Sequence, residues 1–86
     1  MTAHVVLYHT ASCPYCVRAK ALLDGKGVAY TEHDITMTTA KRAEMRARAP
    51  QARTVPQIFI DDTGIGGCDD LYALDRAGKL DAMLDR

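Results

Sequence analysis

The chain lacks any apolar run close to the ~20 residues that a membrane span requires. Its start, Met1-Thr2-Ala3-His4, has neither the basic segment nor the long apolar core of a secretory signal. Both absences point to a cytoplasmic protein that does not engage a membrane. Net charge is missing too, because 11 Lys and Arg balance 11 Asp and Glu. The broad positive field that neutralises nucleic-acid phosphates is therefore not available, and a general nucleic-acid binder is excluded. No internal repeat or low-complexity tract occurs. Cysteine is scarce and odd in number: 3 residues do not suit a framework of paired structural disulfides. In a reducing compartment thiols stay reduced unless their chemistry is the point.

What is present suits one folded unit over residues 1–86. At 48% apolar and 26% charged residues, the chain can bury a modest core and is too short for two. Val5-Val6-Leu7-Tyr8 is an unbroken apolar run of β-formers, the pattern of a strand buried on both faces. From Pro14 to Asp24, Cys16, Ala19, Leu22 and Leu23 share one side at helical spacing, and Gly25 and Gly27 end that helix. Alternation over Val28 to Asp34 predicts a second strand. Thr38 to Arg48 is rich in helix formers, with Ala40, Ala43 and Ala47 as its weakly apolar face and Pro50 as its stop. Gln57 to Ile60 predicts a strand, Asp61 to Gly64 a turn, and a further short strand follows. Asp69 to Arg86 places Leu71, Leu74, Leu80 and Leu84 at helical spacing, broken at Gly78. This order gives an α/β fold, a mixed sheet with helices on its faces.

The chemistry concentrates in Cys13-Pro14-Tyr15-Cys16, where the first strand gives way to the first helix. A sulfur at that junction faces unpaired backbone N–H groups and the positive end of the helix dipole, which favour thiolate over thiol. Pro14 fits the first helical position, where its missing N–H costs nothing. Cys16 lies one turn on, along the buried stripe with Ala19 and Leu23, so it is the less exposed of the two. Arg18 and Lys20 add positive charge nearby, expected to act on Cys13. Together these features read as a redox pair. A zinc site would need two further ligands; only Cys68 remains, with His4, His9 and His33, and none stands at a recognised ligand spacing. His9 and His33 are expected to have no partner and no role.

Cys13-Pro14-Tyr15-Cys16, Thr54-Val55-Pro56 and Gly66-Gly67-Cys68-Asp69-Asp70 occur in the order and approximate spacing of the dithiol glutaredoxins, and the chain resembles that family over nearly its whole length. Thioredoxins usually carry a tryptophan before Cys-Gly-Pro-Cys, whereas this chain has none. The resemblance implies a thioredoxin fold, a four-stranded mixed sheet flanked by helices. It also implies Cys13 as nucleophile, Cys16 as resolving residue, and a redox disulfide between them. Glutathione is implied as co-substrate, with no tightly bound cofactor and no metal.

The resemblance further implies a cis Pro56 facing the active cysteine, with Thr54 and Val55 beside it and Val55 pairing with glutathione as one strand pairs with another. From the residues alone, a proline that merely begins a strand is the plainer alternative. Gly67, Cys68 and Asp69 are expected at the γ-glutamyl end, where N–H groups at the helix start meet the carboxylate and Asp69 takes the ammonium. Asp70 is read mainly as helix chemistry, and capping by either aspartate is the structural alternative. Tyr15 shapes the mouth of the site, and Tyr72 reads as packing. Cys68 reads as a core cysteine before a third redox thiol, and Met37, Met45 and Met83 as gap-fillers.

Lys41, Arg42, Arg46, Arg48 and Arg53 stand against the single acid Glu44 between positions 41 and 53. Arg42 and Arg53 are the candidates for the glycyl carboxylate, weighed against a plain solvated face. Two departures from the family pattern bear on that end: Thr10 stands where many members have lysine, and the Arg48 to Arg53 loop is slightly longer.

The expected activity is reduction of protein disulfides and protein-glutathione mixed disulfides by a monomeric enzyme, with ribonucleotide reductase among the candidate partners. Two other functions share the motif. One is an electron donor reduced by a flavin reductase, against which Asp69 and the glycine pair argue. The other is a carrier of an iron-sulfur cluster ligated through Cys13 and glutathione, which Pro14 disfavours.

Overall fold

The structure, a computed structural model, describes residues 3–10, 13–36, 38–50 and 54–84. Met37 and Arg53 lie outside the described residues. The elements run β1 (Val5–His9), α1 (Pro14–Gly25), β2 (Thr31–Asp34), α2 (Thr39–Arg48), β3 (Gln57–Ile60), β4 (Thr63–Gly66), α3 (Cys68–Arg76) and α4 (Leu80–Met83). The four strands form one sheet in the order β2-β1-β3-β4. β1 runs parallel to β2 and antiparallel to β3, which pairs antiparallel with β4.

The two central strands are buried at every residue, as their unbroken apolar runs require. Their side chains alternate between two cores. Val5, Leu7, Ile58 and Ile60 pack with Ala19 and Leu23 of α1, Leu71 of α3, and Leu80 and Leu84. Val6, Tyr8 and Phe59 pack on the other face with Ile35 and with Met45 of α2. The edge strands are polar or small, Thr31-Glu32-His33-Asp34 and Thr63-Gly64-Ile65-Gly66, with exposed or half-buried residues throughout.

Local chemistry sets the ends of these elements. α1 opens on Pro14 and is closed at Gly27, whose φ of 71° suits a residue without Cβ. The β3–β4 hairpin turns on Asp61 and Asp62, with φ of 50° and 68°, the left-handed pair of a tight hairpin turn that aspartate tolerates. Gly78, at φ 73°, separates α3 from α4 as the spacing predicted. Lys26 then ties three helices together, its Nζ 2.6 Å from Asp75 and 3.0 Å from Asp81.

Two expectations change. The strand expected over Val28 to Asp34 begins only at Thr31, because Val28 first donates its N–H back to Leu23 O at 3.4 Å while its side chain enters the core. The alanine face expected of α2 is exposed; the helix turns Met45 inward, flanked by half-buried Arg42, Arg48 and Ala49. Those positions recur three and four apart, so the helix does carry an inward stripe, built largely of long polar side chains.

Polar contacts supply what α2 lacks in apolar surface. The fully buried Tyr8 donates its hydroxyl proton to Glu44 and accepts from Arg48 Nη1 at 3.1 Å. Burial, followed by the Glu44 bond, pushes the Tyr8 hydroxyl above its ordinary range, keeping it a donor. The Arg48 guanidinium lies 4.1 Å from the Phe59 ring centroid and reaches Asp62 at 3.1 Å. Tyr8→Phe removes the hub of this network without opening a cavity. Urea unfolding of that variant is expected to show a loss of about 1–2 kcal/mol, the cost of leaving two polar partners unsatisfied.

Candidate active site

Cys13 closes the connection from β1 and caps α1. Its backbone is extended (φ −88°, ψ 115°), and its sulfur accepts the Cys16 N–H at 3.4 Å. The Cys13 N–H is held by Thr10 O at 3.4 Å, and Cys13 O accepts from Val17 at 3.2 Å. The sulfur therefore sits where the first helical N–H groups converge. As a thiol it donates to Val55 O at 3.7 Å, across 42 residues of chain. The Val55–Pro56 peptide is cis. The buried Gln57 supports the same segment, its Nε2 donating to Thr54 O at 2.9 Å.

Cys16 is 1% exposed, whereas Cys13 is half-buried. Burial pushes the Cys16 thiol up to about 12; Cys13 adds to the rise, while the Thr10 backbone and the Lys20 charge oppose it. All three cysteines are free thiols. Cys68 is buried among the core residues, and burial raises its thiol too, in keeping with the core-cysteine reading. Among the described residues no three histidine, cysteine or acidic side chains gather as a metal site.

A groove of about 670 Å³ is bordered by Val55, whose carbonyl accepts from Cys13. It brings together Tyr15 from α1, Thr54, Val55 and Pro56 from the approach to β3, and Gly67, Cys68 and Asp69 from the start of α3. Tyr15 is 52% exposed, as a residue at the mouth should be. At the head of α3 the Gly67 N–H donates to Asp70 Oδ2 at 3.0 Å, so Asp70 is the capping residue. Asp69 is exposed and lines the groove. Gly66 must remain glycine: its φ is 109°, and an added Cβ would stand 2.3 Å from Asp70 Oδ2.

Val55 also borders a second hollow of about 260 Å³, with Thr54, Thr10, Ile35, Arg42 and Met45. Arg42 Nη2 donates to Ile35 O at 3.2 Å, and its buried Nε has no hydrogen-bond partner among the described residues. The basic residues of this region thus divide. Arg42 borders the second hollow, Arg48 lines the groove while donating to Tyr8, and Lys41 pairs with Glu44 at 3.4 Å.

The cations near the thiols divide as well. Arg18 lies over the Tyr72 ring at 5.4 Å, and Tyr72 donates to Arg18 O at 3.1 Å, a packing contact between α1 and α3. Lys20 meets Glu32 at 3.2 Å. His9, expected to have no partner, is buried with its Nε2 3.4 Å from the same Glu32 carboxylate oxygen. His33 packs at 5.3 Å from the Tyr8 ring, and burial holds its pKa down.

A glutaredoxin family model matches residues 5–65. The chain belongs to the glutaredoxin family. It is 57% identical over 82 residues to glutaredoxin 3 of Escherichia coli, covering 95% of this chain and 98% of that one. It is 58% identical over 80 residues to a glutaredoxin of Pseudomonas aeruginosa, covering 93% and 94%. Among solved structures, the buckwheat glutaredoxin-glutathione complex superposes with a TM-score of 0.86 at 35% identity, covering 96% of this chain and 77% of that one. The sheet flanked by helices is accordingly the thioredoxin fold, and this glutaredoxin is a thiol-disulfide oxidoreductase.

In this glutaredoxin the two aspartates at the head of α3 separate by experiment. Asp70→Ala is expected to cost about 1 kcal/mol in thermal or urea unfolding through loss of the cap. Asp69→Asn, whose carboxylate faces the groove, leaves the unfolding midpoint where it was.

Proposed function

We propose that the protein is a glutathione-dependent oxidoreductase of the cytoplasm, one domain over residues 1–86, that reduces protein disulfides and protein-glutathione mixed disulfides. The proposal rests on the Cys13 sulfur, which meets the Cys16 N–H on one side and the Val55 carbonyl beside cis-Pro56 on the other. A thiolate is stabilised by the first, and an incoming disulfide is aligned by the second.

The Cys13 thiolate attacks the glutathione sulfur of a mixed disulfide. A Cys13-glutathione disulfide forms, and the protein thiolate leaves and takes up a proton. A second glutathione thiolate then attacks that sulfur, releasing oxidised glutathione and restoring Cys13. With a protein disulfide, Cys13 first forms a mixed disulfide to the protein. Cys16 loses its proton, attacks the Cys13 sulfur and expels the substrate thiolate, and two glutathiones later reduce the Cys13-Cys16 disulfide. Each step exchanges one disulfide for another, and the electrons come from glutathione.

Four features support glutathione as the reductant. The backbone flanking Pro56 offers a strand-like edge for its cysteinyl part. Gly67 and Cys68 begin a helix whose N–H groups suit the γ-glutamyl carboxylate, and Asp69 suits the ammonium. Arg42, whose buried Nε has no partner among the described residues and which borders one hollow with Thr54 and Val55, suits the glycyl carboxylate. Arg53 is retained as a second candidate there.

Turnover of a small glutathione mixed disulfide, coupled to glutathione reductase and NADPH, tests the assignment. Cys13→Ser is expected to abolish activity and Cys16→Ser to retain most of it; inactivity of the wild type with glutathione would sink the proposal. Arg42→Met and Asp69→Asn are each expected to raise KM for glutathione about tenfold, the scale of one lost charged hydrogen bond. An unchanged KM in both would remove these two contacts from the site.

A further inference from the structure

We propose that Lys20 is the electrostatic partner of Cys16, stabilising its thiolate when Cys16 attacks the Cys13 mixed disulfide. The inference rests on the assignment of Cys16 as the resolving residue.

Lys20 follows Cys16 by four residues within α1, so the two side chains share one face of the helix. Helical side chains slant toward the N-terminus, which carries the Lys20 stem back along that face toward Cys16. The ammonium is docked, not free. It lies 3.2 Å from Glu32 of β2, and its side chain is only 31% exposed. Glu32 stands opposite Leu7 in the parallel register, and Leu7 packs into the core beneath α1. The carboxylate therefore approaches from the sheet face that α1 covers, and His9 of β1 meets the same carboxylate oxygen at 3.4 Å.

The timing of the need favours this arrangement. In the dithiol, burial keeps Cys16 protonated, and the hydrogen bond and charge of Cys13 add to it. Once Cys13 is bound in a mixed disulfide it carries no charge, and both effects disappear. What then opposes ionisation of Cys16 is burial, and what assists it is the Thr10 backbone and Lys20. The titratable groups around this pair are Cys13 at the cap of α1, Lys20 of α1, His9 of β1, Glu32 of β2, and the buried Cys68 of α3. Among them Lys20 is the lysine that shares a helix face with Cys16. The plain alternative is that Lys20 and Glu32 form an ordinary peripheral ion pair, worth little in itself.

The step balances without further reagents. Cys16 gives a proton to solvent, its thiolate forms a bond to the Cys13 sulfur, and the substrate thiolate leaves and is protonated. The test uses the intact protein carrying a preformed Cys13-glutathione disulfide. Release of glutathione by Cys16 is followed by acid quench and mass spectrometry across roughly pH 6 to pH 9.

Lys20→Met is expected to slow release about three- to tenfold near neutral pH, and to move the rising limb of the profile to higher pH, because the thiol ionises less readily without the cation. Lys20→Arg keeps the charge and is expected to recover most of the rate. Glu32→Gln breaks the same ion pair but leaves the ammonium, so release should be at least as fast as in the wild type. A Lys20→Met profile that matches the wild type overturns the proposal. So does a Glu32→Gln variant slowed as much as Lys20→Met, which would make the ion pair structural. Release from Cys16→Ser at the wild-type rate would remove the resolving assignment itself, an outcome distinguishable from failure of the Lys20 role alone.

Discussion

Antiparallel pairing of β1 with β3 is the constraint on which the site depends. The register sets Tyr8 opposite Gln57, so the end of β1 and the beginning of β3 lie at the same end of the sheet. The chain leaves β1 toward Cys13 and enters β3 from Val55–Pro56. Two segments 42 residues apart therefore meet through a sulfur and a carbonyl. Because both strands are buried on both faces, their register is fixed by two cores at once. A slip of one residue would send Val6 and Tyr8 to the α1 side and Val5 and Leu7 beneath α2. It would also carry Val55 away from Cys13, so the same packing that holds the fold sets the geometry of the thiol.

The second core is thinner and leans on polar chemistry. α2 buries a single residue, Met45, and is otherwise anchored by polar contacts, among them those of the Tyr8 hydroxyl. A buried hydroxyl costs free energy unless it is hydrogen-bonded; here it is bonded twice, to Glu44 and Arg48. The same helix carries Arg42 to the hollow beside Thr54 and Val55. Satisfying Tyr8 thereby also positions a cation that is proposed to meet substrate, and stability and recognition share one network.

Much of this was legible in the residues. The β1 and β3 runs showed their burial because a strand covered on both faces is apolar at every position. The Cys13-Pro14 step showed a helix start because proline and an N-terminal sulfur each suit that position for independent reasons. Asp70 could be read as a cap from its place three residues after Gly67. The face of α2 was not legible: alanine spacing reports helix propensity, whereas the inward stripe used Met45 with the stems of Arg42 and Arg48, residues that count as polar in any pattern. The strand boundary at Thr31 was hidden for a similar reason, since Val28 is apolar because it enters the core and not because it is extended. His9 and Glu32 are distant in sequence, and only the parallel pairing of β1 with β2 brings them together.

Cys13 and Cys16 differ by one helical turn, and that turn changes their surroundings almost completely. Cys13 is at the cap, half-exposed, facing backbone N–H groups that have no helical acceptor. Cys16 is inside, where burial opposes its charge. The asymmetry gives an order to the proposed chemistry without any moving part. Cys13 is accessible and attacks first, while burial, with the hydrogen bond and charge of Cys13 added to it, holds Cys16 protonated. Once Cys13 is consumed in a mixed disulfide its share of that restraint is gone, burial remains, and the Lys20 charge opposes it. The substrate bond itself then releases the second thiol. A pair ionising together would lose that sequence, because two thiolates so close would repel and neither would be preferred as nucleophile.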